Sequence, residues 1–292
     1  MLPANEPVPR DEVGFIHEIK WDGYRLLSYL DGGDVQLISR NGYSFNDRFP
    51  NLAEYLRKKD LQAVLDGEVV ALTKEGRVDF SLLQSRNSGI DICYVVFDVL
   101  RVRGEDLCPR PWFERRRRLE EMIQSEGPLL VSPLLSGSAS DCLSFAIEQG
   151  FEGIVSKRED SPYLPGVRTS YWFKQKILRT LDCLLVGVKV DRRSVAVAVY
   201  RGDGALVYLG NVGSGLGQGE LGFLTEALET LGKLTECPCI NPPRDAHQWT
   251  WCKPLLVLEV EYLEFTSSGR LRHPVFLRFR FDKEPQACLM EV

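Results

Sequence analysis

The stretch EIKWDGYR sets Lys20 between two carboxylates, Glu18 and Asp22, and follows a glycine with a second cation, Arg25. A lysine amine attacks only when uncharged. Desolvation or a neighbouring cation favours that form, and nearby carboxylates oppose it. Glu18 and Asp22 alone would therefore make Lys20 a poor nucleophile. A divalent ion on a polyphosphate reverses the argument, because it neutralises acids and phosphates together and orients an in-line attack. An exposed Lys–Asp pair at a hairpin turn fits the hexapeptide equally well.

Other segments tilt that balance. Asp66-Gly67-Glu68 places two carboxylates in phase on one strand face, and Glu152-Gly153 adds an acid beside a glycine that lets a ligand approach. Trp172, Lys174 and Lys176 alternate with Phe173, Gln175 and Ile177, so both lysines face one way, an arrangement that suits a phosphate better than a core. Singly, each segment reads as ordinary surface. Together they put acids and cations on several strand ends of one domain, which suits nucleotidyl transfer.

The elements that would hold these residues follow from periodicity. Residues 15–22 alternate, which points Glu18, Lys20 and Asp22 to one side of a strand that breaks at Asp22-Gly23. YRLLSYL, DGGD and VQLIS read as a hairpin. A short helix near 51–59, strands AVLDGEVVAL and CYVVFDVL, and a helix opened by Pro111 follow. The run Arg115–Arg118 on that helix reads as a solvated face. Ser140 is the expected cap of the next helix, and Gly150 its end. From Leu181 onward, LDCLLVGVKV, SVAVAVYR and ALVYLGNVG read as three strands, 219–234 as a helix, and LLVLEVEYLEF and VFLRFRF as two more strands. That order is an OB-type barrel.

The bulk numbers are compatible. The 292 residues suit two domains, 1–181 and 182–292, and carry a net charge of −5 with neither part basic, so any nucleic-acid surface must be local. No apolar run approaches the roughly 18 residues of a membrane helix, and MLPANEPVPR lacks a signal pattern and reads as a loose N-terminus of a cytoplasmic protein. Cys237-Pro-Cys239 is the closest pair of the eight cysteines, too few ligands for zinc, so the thiols read as reduced.

Six of these segments, in order, carry a family resemblance: EIKWDGYR, SRNG, LDGEVV, VVFDVL, FEGIVSKR and WFKQK resemble the motifs of the covalent nucleotidyltransferases, that is, DNA ligases, RNA ligases and capping enzymes. GNVGSG and HPVFLRFRFDK narrow the likeness to bacterial ATP-dependent DNA ligases, especially the ligase module of the end-joining ligase D group. The resemblance runs from about Phe15 to the C-terminus. It implies an α+β fold: an ATP-grasp-like nucleotidyltransferase domain of mainly antiparallel sheets with flanking helices, then a β-barrel OB-fold domain.

The resemblance also implies roles. Lys20 would attack the α-phosphate of ATP. Glu18 and the backbone at Ile19 would meet the adenine edge, Phe97 would stack on the base, and Glu68 would touch the ribose. Arg25 and Arg40 would bind ribose or the 5′-phosphate of a nick. Glu152, with Asp22 second, would hold Mg²⁺ or Mn²⁺. Lys174 and Lys176 would grip the AMP phosphate, and Trp172 would line the cofactor site or merely pack the strand. Arg280, Asp282 and Lys283 would orient the leaving pyrophosphate. Lys157 has the wrong strand parity relative to Glu152 and ranks lower unless a bulge intervenes. His17 reads as packing or surface.

The implied reaction seals nicked or broken duplex DNA in three transfers, with a hinge near Thr180–Asp182 between them. The implied setting is a monomer at the bacterial nucleoid, without an added helical DNA-binding domain, with a Ku-type end-binding protein as the suggested partner. The rivals are an RNA ligase, a capping-type guanylyltransferase, and a non-enzymatic OB-bearing binder with a dead nucleotide pocket.

Overall fold

The computed structural model describes residues 1–9, 11–73, 76–84, 91–189, 193–266 and 268–290, which fall into two compact units, Met1–Ile177 and Leu178–Val292. The division precedes the strand Arg179–Lys189. Residues 179–182 are already paired with Glu259–Tyr262 in that strand, so Thr180–Asp182 are ladder residues rather than a linker.

The first unit contains two sheets. One has the strand order Leu2–Ala4, Arg168–Lys176, Gly153–Arg158, Phe15–Ile19, Leu134–Leu135. The other runs Asp34–Ser39, Tyr24–Asp31, Gln62–Leu72, Asp91–Val102, Glu105–Asp106, with Leu129–Val131 parallel to Asp91–Val102. The strand Leu2–Ala4 is also parallel to its neighbour, and the remaining pairings are antiparallel. The N-terminal residues expected to be loose are thus ordered: Met1 is buried and Leu2–Ala4 forms an edge strand.

Each sheet buries one face under helices. Leu52 and Leu56 of helix Pro50–Arg57 and Leu119 of helix Trp112–Met122 pack on Leu26, Leu37, Leu65 and Val96 of the second sheet. Ala139, Cys142 and Ala146 of helix Ala139–Gln149 pack on Ile154 and Phe173 of the first. That helix is capped by Ser138, two residues before the expected Ser140. Ser138 and Asp141 form a reciprocal capping box, and the helix ends on Gly150 at φ 74°.

The arginine run departs from expectation. Arg117 and Arg118 are exposed, but Arg115 and Arg116 are buried. Arg115 donates from Nε and Nη2 to both oxygens of Asp98, at 2.8 and 2.9 Å, and from Nη1 to the carbonyl of Ser161 at 2.9 Å. A run of four identical residues on a helix necessarily points to both faces at 3.6 residues per turn, so half of it turned inward.

In the second unit, Leu206–Val212, Val195–Tyr200, Arg179–Lys189, Val257–Tyr262 and Val275–Phe279 pair successively, and a parallel bridge from Ser214 to Val275 closes the ring. This is the OB-type barrel. Leu224 and Leu228 of helix Gln218–Leu231 pack into its core. Trp249–Cys252, a strand absent from the sequence reading, pairs with the second half of Arg179–Lys189. Its Trp251 ring lies where a side chain on Gly187 would stand, and the indoles cover the outer face of the barrel.

Candidate active site

Between the two sheets of the first unit lies a cavity of about 190 Å³. The first sheet contributes Glu18, Ile19, Val155, Lys157, Arg168, Trp172 and Lys174, with Lys20 and Trp21 just beyond the strand end. The second contributes Arg25, Glu68 and Phe97, with Arg40 after its strand. Leu2 and Pro3 of the edge strand complete the lining.

The Lys20 amide donates to the carbonyl of Gly153 at 2.9 Å, so the ladder holds this residue although the strand proper ends at Ile19. Lys20 Nζ pairs with Glu152 Oε2, and Lys176 Nζ pairs with Glu152 Oε1 at 2.9 Å. Burial pushes the Glu152 carboxyl up, but the Lys20 and Lys176 ammoniums outweigh it and leave the group below the usual carboxylate range. Lys174 is lowered, first by desolvation and then by Lys20 and Lys176. Burial pushes the Glu68 carboxyl up to about 8, against the pull of Lys20 and Arg25.

The two glycines of these motifs serve the backbone. A Cβ on Gly23 would stand 2.1 Å from the carbonyl of Val69, and one on Gly153, at φ 149°, would stand 2.0 Å from that of Gln175. Neighbouring strands, rather than a ligand, occupy the space. The strand that begins at Gly153 runs without a bulge. Val155 and Lys157 line the cavity together although Glu152, on the other parity, reaches Lys20 from before the strand. Parity counted from Glu152 therefore misplaced Lys157.

Lys157 is buried, and desolvation draws its ammonium below the ordinary lysine range against the pull of Glu18. It donates to Glu18 Oε1 at 2.7 Å and to the carbonyl of Phe97 at 3.3 Å. Its Nζ lies 4.6 Å from the ring centroid of Phe97 and 4.5 Å from that of Trp172. Phe97 and Trp172 meet edge to face at 6.1 Å. Phe97, Trp172 and the Glu18 carboxylate thus gather about Lys157, while Lys174 feels the charges of Lys20, Lys176 and Arg168. Arg40 and Glu68 also line the cavity.

Arg25 lines the cavity, but its Nε and Nη2 donate to Asp66 at 3.0 and 2.6 Å, and Tyr163 Oη donates to the same carboxylate at 2.7 Å. Asp66, in phase with Glu68, is thus spent on positioning Arg25. Asp22 is not among the cavity-lining residues. His17 is buried and hydrogen-bonds Ser156 Oγ at 2.9 Å through Nδ1, a packing role. In the second unit, Arg280 and Lys283 both reach Asp182, at 3.2 and 2.7 Å, and Arg280 also pairs with Asp282. Trp21, Arg168 and the edge strand went unnoticed in the sequence. Trp21 stood inside the lysine motif, whereas nothing local marks Arg168.

Among the described residues, no group of three or more His, Cys, Asp or Glu side chains could hold a metal ion by itself. Glu152 beside Lys20 nevertheless fits an ion carried in on a polyphosphate, since Mg²⁺ typically takes one or two carboxylates and completes its shell with phosphate and water. Among the described residues, no helix is long and apolar enough to cross a membrane.

The comparisons with known proteins give the class to which this fold and cavity belong. The family model "ATP dependent DNA ligase domain" matches residues 7–176, and "ATP dependent DNA ligase C terminal region" matches 190–283. The chain belongs to the ATP-dependent DNA ligase family. It is 37% identical over 285 residues to the multifunctional non-homologous end joining protein LigD of Mycobacterium bovis, covering 94% of this chain but 37% of that relative. It is 32% identical to DNA ligase C1 of Mycolicibacterium smegmatis, covering 100% of this chain and 92% of that one. The crystal structure of the M. tuberculosis LigD ligase domain matches at 34% identity and a TM-score of 0.59, covering 99% of this chain and 97% of that one. A mycobacterial DNA ligase D complexed with ATP and MES matches at 34% identity and TM-score 0.60, with the same coverages.

Proposed function

We propose that this protein seals breaks in duplex DNA through a covalent adenylate on Lys20. What carries the reading is one cavity lined by Lys20 and Lys174 together with Phe97, Trp172 and Glu18. A purine fits between an aromatic wall and one acceptor, and a triphosphate fits beside the cations. The similar ligase D bound to ATP supports ATP as the nucleotide.

In the first transfer the Lys20 amine attacks the α-phosphorus. The N–P bond forms as the α–β P–O bond breaks, pyrophosphate leaves, and the amine proton goes to solvent. Lys174 and Lys176 neutralise charge developing on the α-phosphate. Glu152 would hold a divalent ion, which when bound supplies further neutralisation of the phosphates. Glu68 binds the ribose, and Arg40 with Arg25 meets the ribose or the 5′-phosphate of the nick. Arg280 and Lys283 are assigned to pyrophosphate departure, with Asp182 as their resting counterion. AMP then passes to the 5′-phosphate of a nick, and the 3′-hydroxyl displaces it.

The LigD relatives, named for non-homologous end joining, support a place in end joining; a Ku-type end-binding protein is the partner that the sequence resemblance suggests. The chain spans only 37% of the LigD length, whereas ligase C1 is matched over 92% of its own.

The test is one incubation with ATP and Mg²⁺, read by intact mass, followed by nicked duplex. The protein should gain one adenylate on Lys20 and pass it to DNA. No adduct, or an adduct on another side chain, removes the proposal. Labelling by GTP in preference to ATP would select a capping-type enzyme, and preferential sealing of RNA nicks an RNA ligase.

A further inference from the structure

The most unusual polar group in the first unit is Arg116. Its guanidinium is buried, yet Nη1 has no hydrogen-bond partner among the described residues. Its other nitrogens are anchored: Nε donates to Glu120 Oε1 at 2.7 Å and Nη2 to the carbonyl of Ser132 at 2.7 Å. Ser132 is tied in turn, its amide donating to the carbonyl of Val96 at 2.8 Å and its hydroxyl accepting from Trp21 Nε1 at 3.1 Å. With two corners fixed, Nη1 is left 4.0 Å from Glu18 Oε1, within ion-pair range but too far for a hydrogen bond. The same oxygen accepts from Lys157 at 2.7 Å.

A buried guanidinium N–H without an acceptor is costly, and its retention calls for a reason. Here the reason is geometric. Glu18 stands in the cavity wall with Oε1 held from one side by Lys157 and faced from the other by Arg116. Rotation about its terminal bond would break both relations, so the second oxygen is fixed in place. A carboxylate oxygen accepts and does not donate. A base edge carrying an exocyclic amine at position 6 satisfies it, whereas a 6-oxo purine sets a second acceptor at that position and keeps only its ring N1–H, displaced from it, as a donor. Lys157 also holds the carbonyl of Phe97 at 3.3 Å, so acceptor and aromatic wall share one anchor.

We infer that Arg116 and Lys157 are positioning residues that orient the Glu18 carboxylate and thereby set the preference for a 6-amino over a 6-oxo purine nucleotide. The inference rests on the proposed adenylylation of Lys20 and assigns the base specificity of that site to two residues that would not touch the phosphates.

The experiment measures the rate of Lys20 labelling by intact mass with ATP and, separately, with inosine 5′-triphosphate. It uses the full chain as wild type, Arg116→Met, Arg116→Lys, Lys157→Met, Glu18→Gln, and the double variant Glu18→Gln/Arg116→Met. The ratio of the two rates comes from one preparation, so partial misfolding cancels. Arg116→Met and Lys157→Met should lower the ATP-to-ITP ratio about tenfold or more, the worth of one charge-assisted contact. Arg116→Lys should recover part of it. In the Glu18→Gln background, adding Arg116→Met should leave the ratio unchanged, because Arg116 acts through Glu18. If both single variants keep the wild-type ratio, or if Arg116→Met lowers it equally with and without Glu18, the inference is overturned. Failure of the wild type to label with either nucleotide would instead overturn the proposed function.

Discussion

Glu68→Gln gives the most direct test of the electrostatics between the sheets. Burial holds the Glu68 proton up to about 8, against 4.5 for the ordinary side chain. The unfolded chain releases that proton near the lower value and the folded protein near the upper. Between them the folded state carries one more proton than the unfolded state, so stability falls as pH rises and the full loss is reached above about 8. Each pH unit inside the window costs about 1.4 kcal/mol, hence at most about 3 kcal/mol between roughly pH 5.5 and pH 7.5. Water in the cavity screens part of this, so about 1–3 kcal/mol is expected. For a domain of this size about 1 kcal/mol moves Tm by roughly 2–4 °C. Wild-type Tm, followed by circular dichroism without nucleotide, should therefore drop by roughly 2–12 °C more than that of Glu68→Gln over the same interval. Glutamine cannot titrate, and every other group is common to both proteins, so the difference isolates position 68. Parallel Tm–pH curves for the two proteins would refute the assignment of a shifted proton to Glu68.

Three further outcomes follow from the geometry. Lys20→Ala should abolish the adenylate mass gain while the circular dichroism spectrum is kept; undiminished labelling would move the nucleophile elsewhere. Lys174→Ala should slow adenylate transfer by about 10²-fold, the usual worth of one charge-stabilising donor, with nicked-duplex affinity in a filter assay largely intact; a defect confined to binding would contradict its role. Asp98→Asn should destabilise the protein by about 3–5 kcal/mol in urea, because it leaves Arg115 buried without its carboxylate; a change under about 1 kcal/mol would show that Arg115 is solvated after all.

The motif residues were legible because the chemistry demands particular types at short spacing. Lys20, Glu18, Ile19, Arg25, Arg40, Glu68, Phe97, Trp172 and Lys174 all line one cavity although they span 157 positions of the chain, from 18 to 174. Other readings failed for local reasons. Glu152 stands before the strand Gly153–Arg158 and outside its alternation, so parity counted from it put Lys157 on the wrong side. The arginine run was judged by composition, and composition is silent about which face of a helix meets the sheet. Trp249–Cys252 escaped notice because four residues give too short a pattern for alternation to register.

Sequence by itself determined the proposed nucleophile, the acids and cations proposed to support it, and the order of strands that makes an OB-type barrel, since these depend on residue type and on contacts a few positions apart. Tertiary structure alone decided which charges serve chemistry and which serve architecture. Asp66 looked equivalent to Glu68 until Arg25 and Tyr163 were seen to occupy it. Lys157 and Arg116 acquired a purpose only when the fold brought them, from 139 and 98 positions away, to either side of Glu18. The physical reason is that the energy of a charge depends on burial and on partners within a few ångströms, and both are properties of the folded chain rather than of its order.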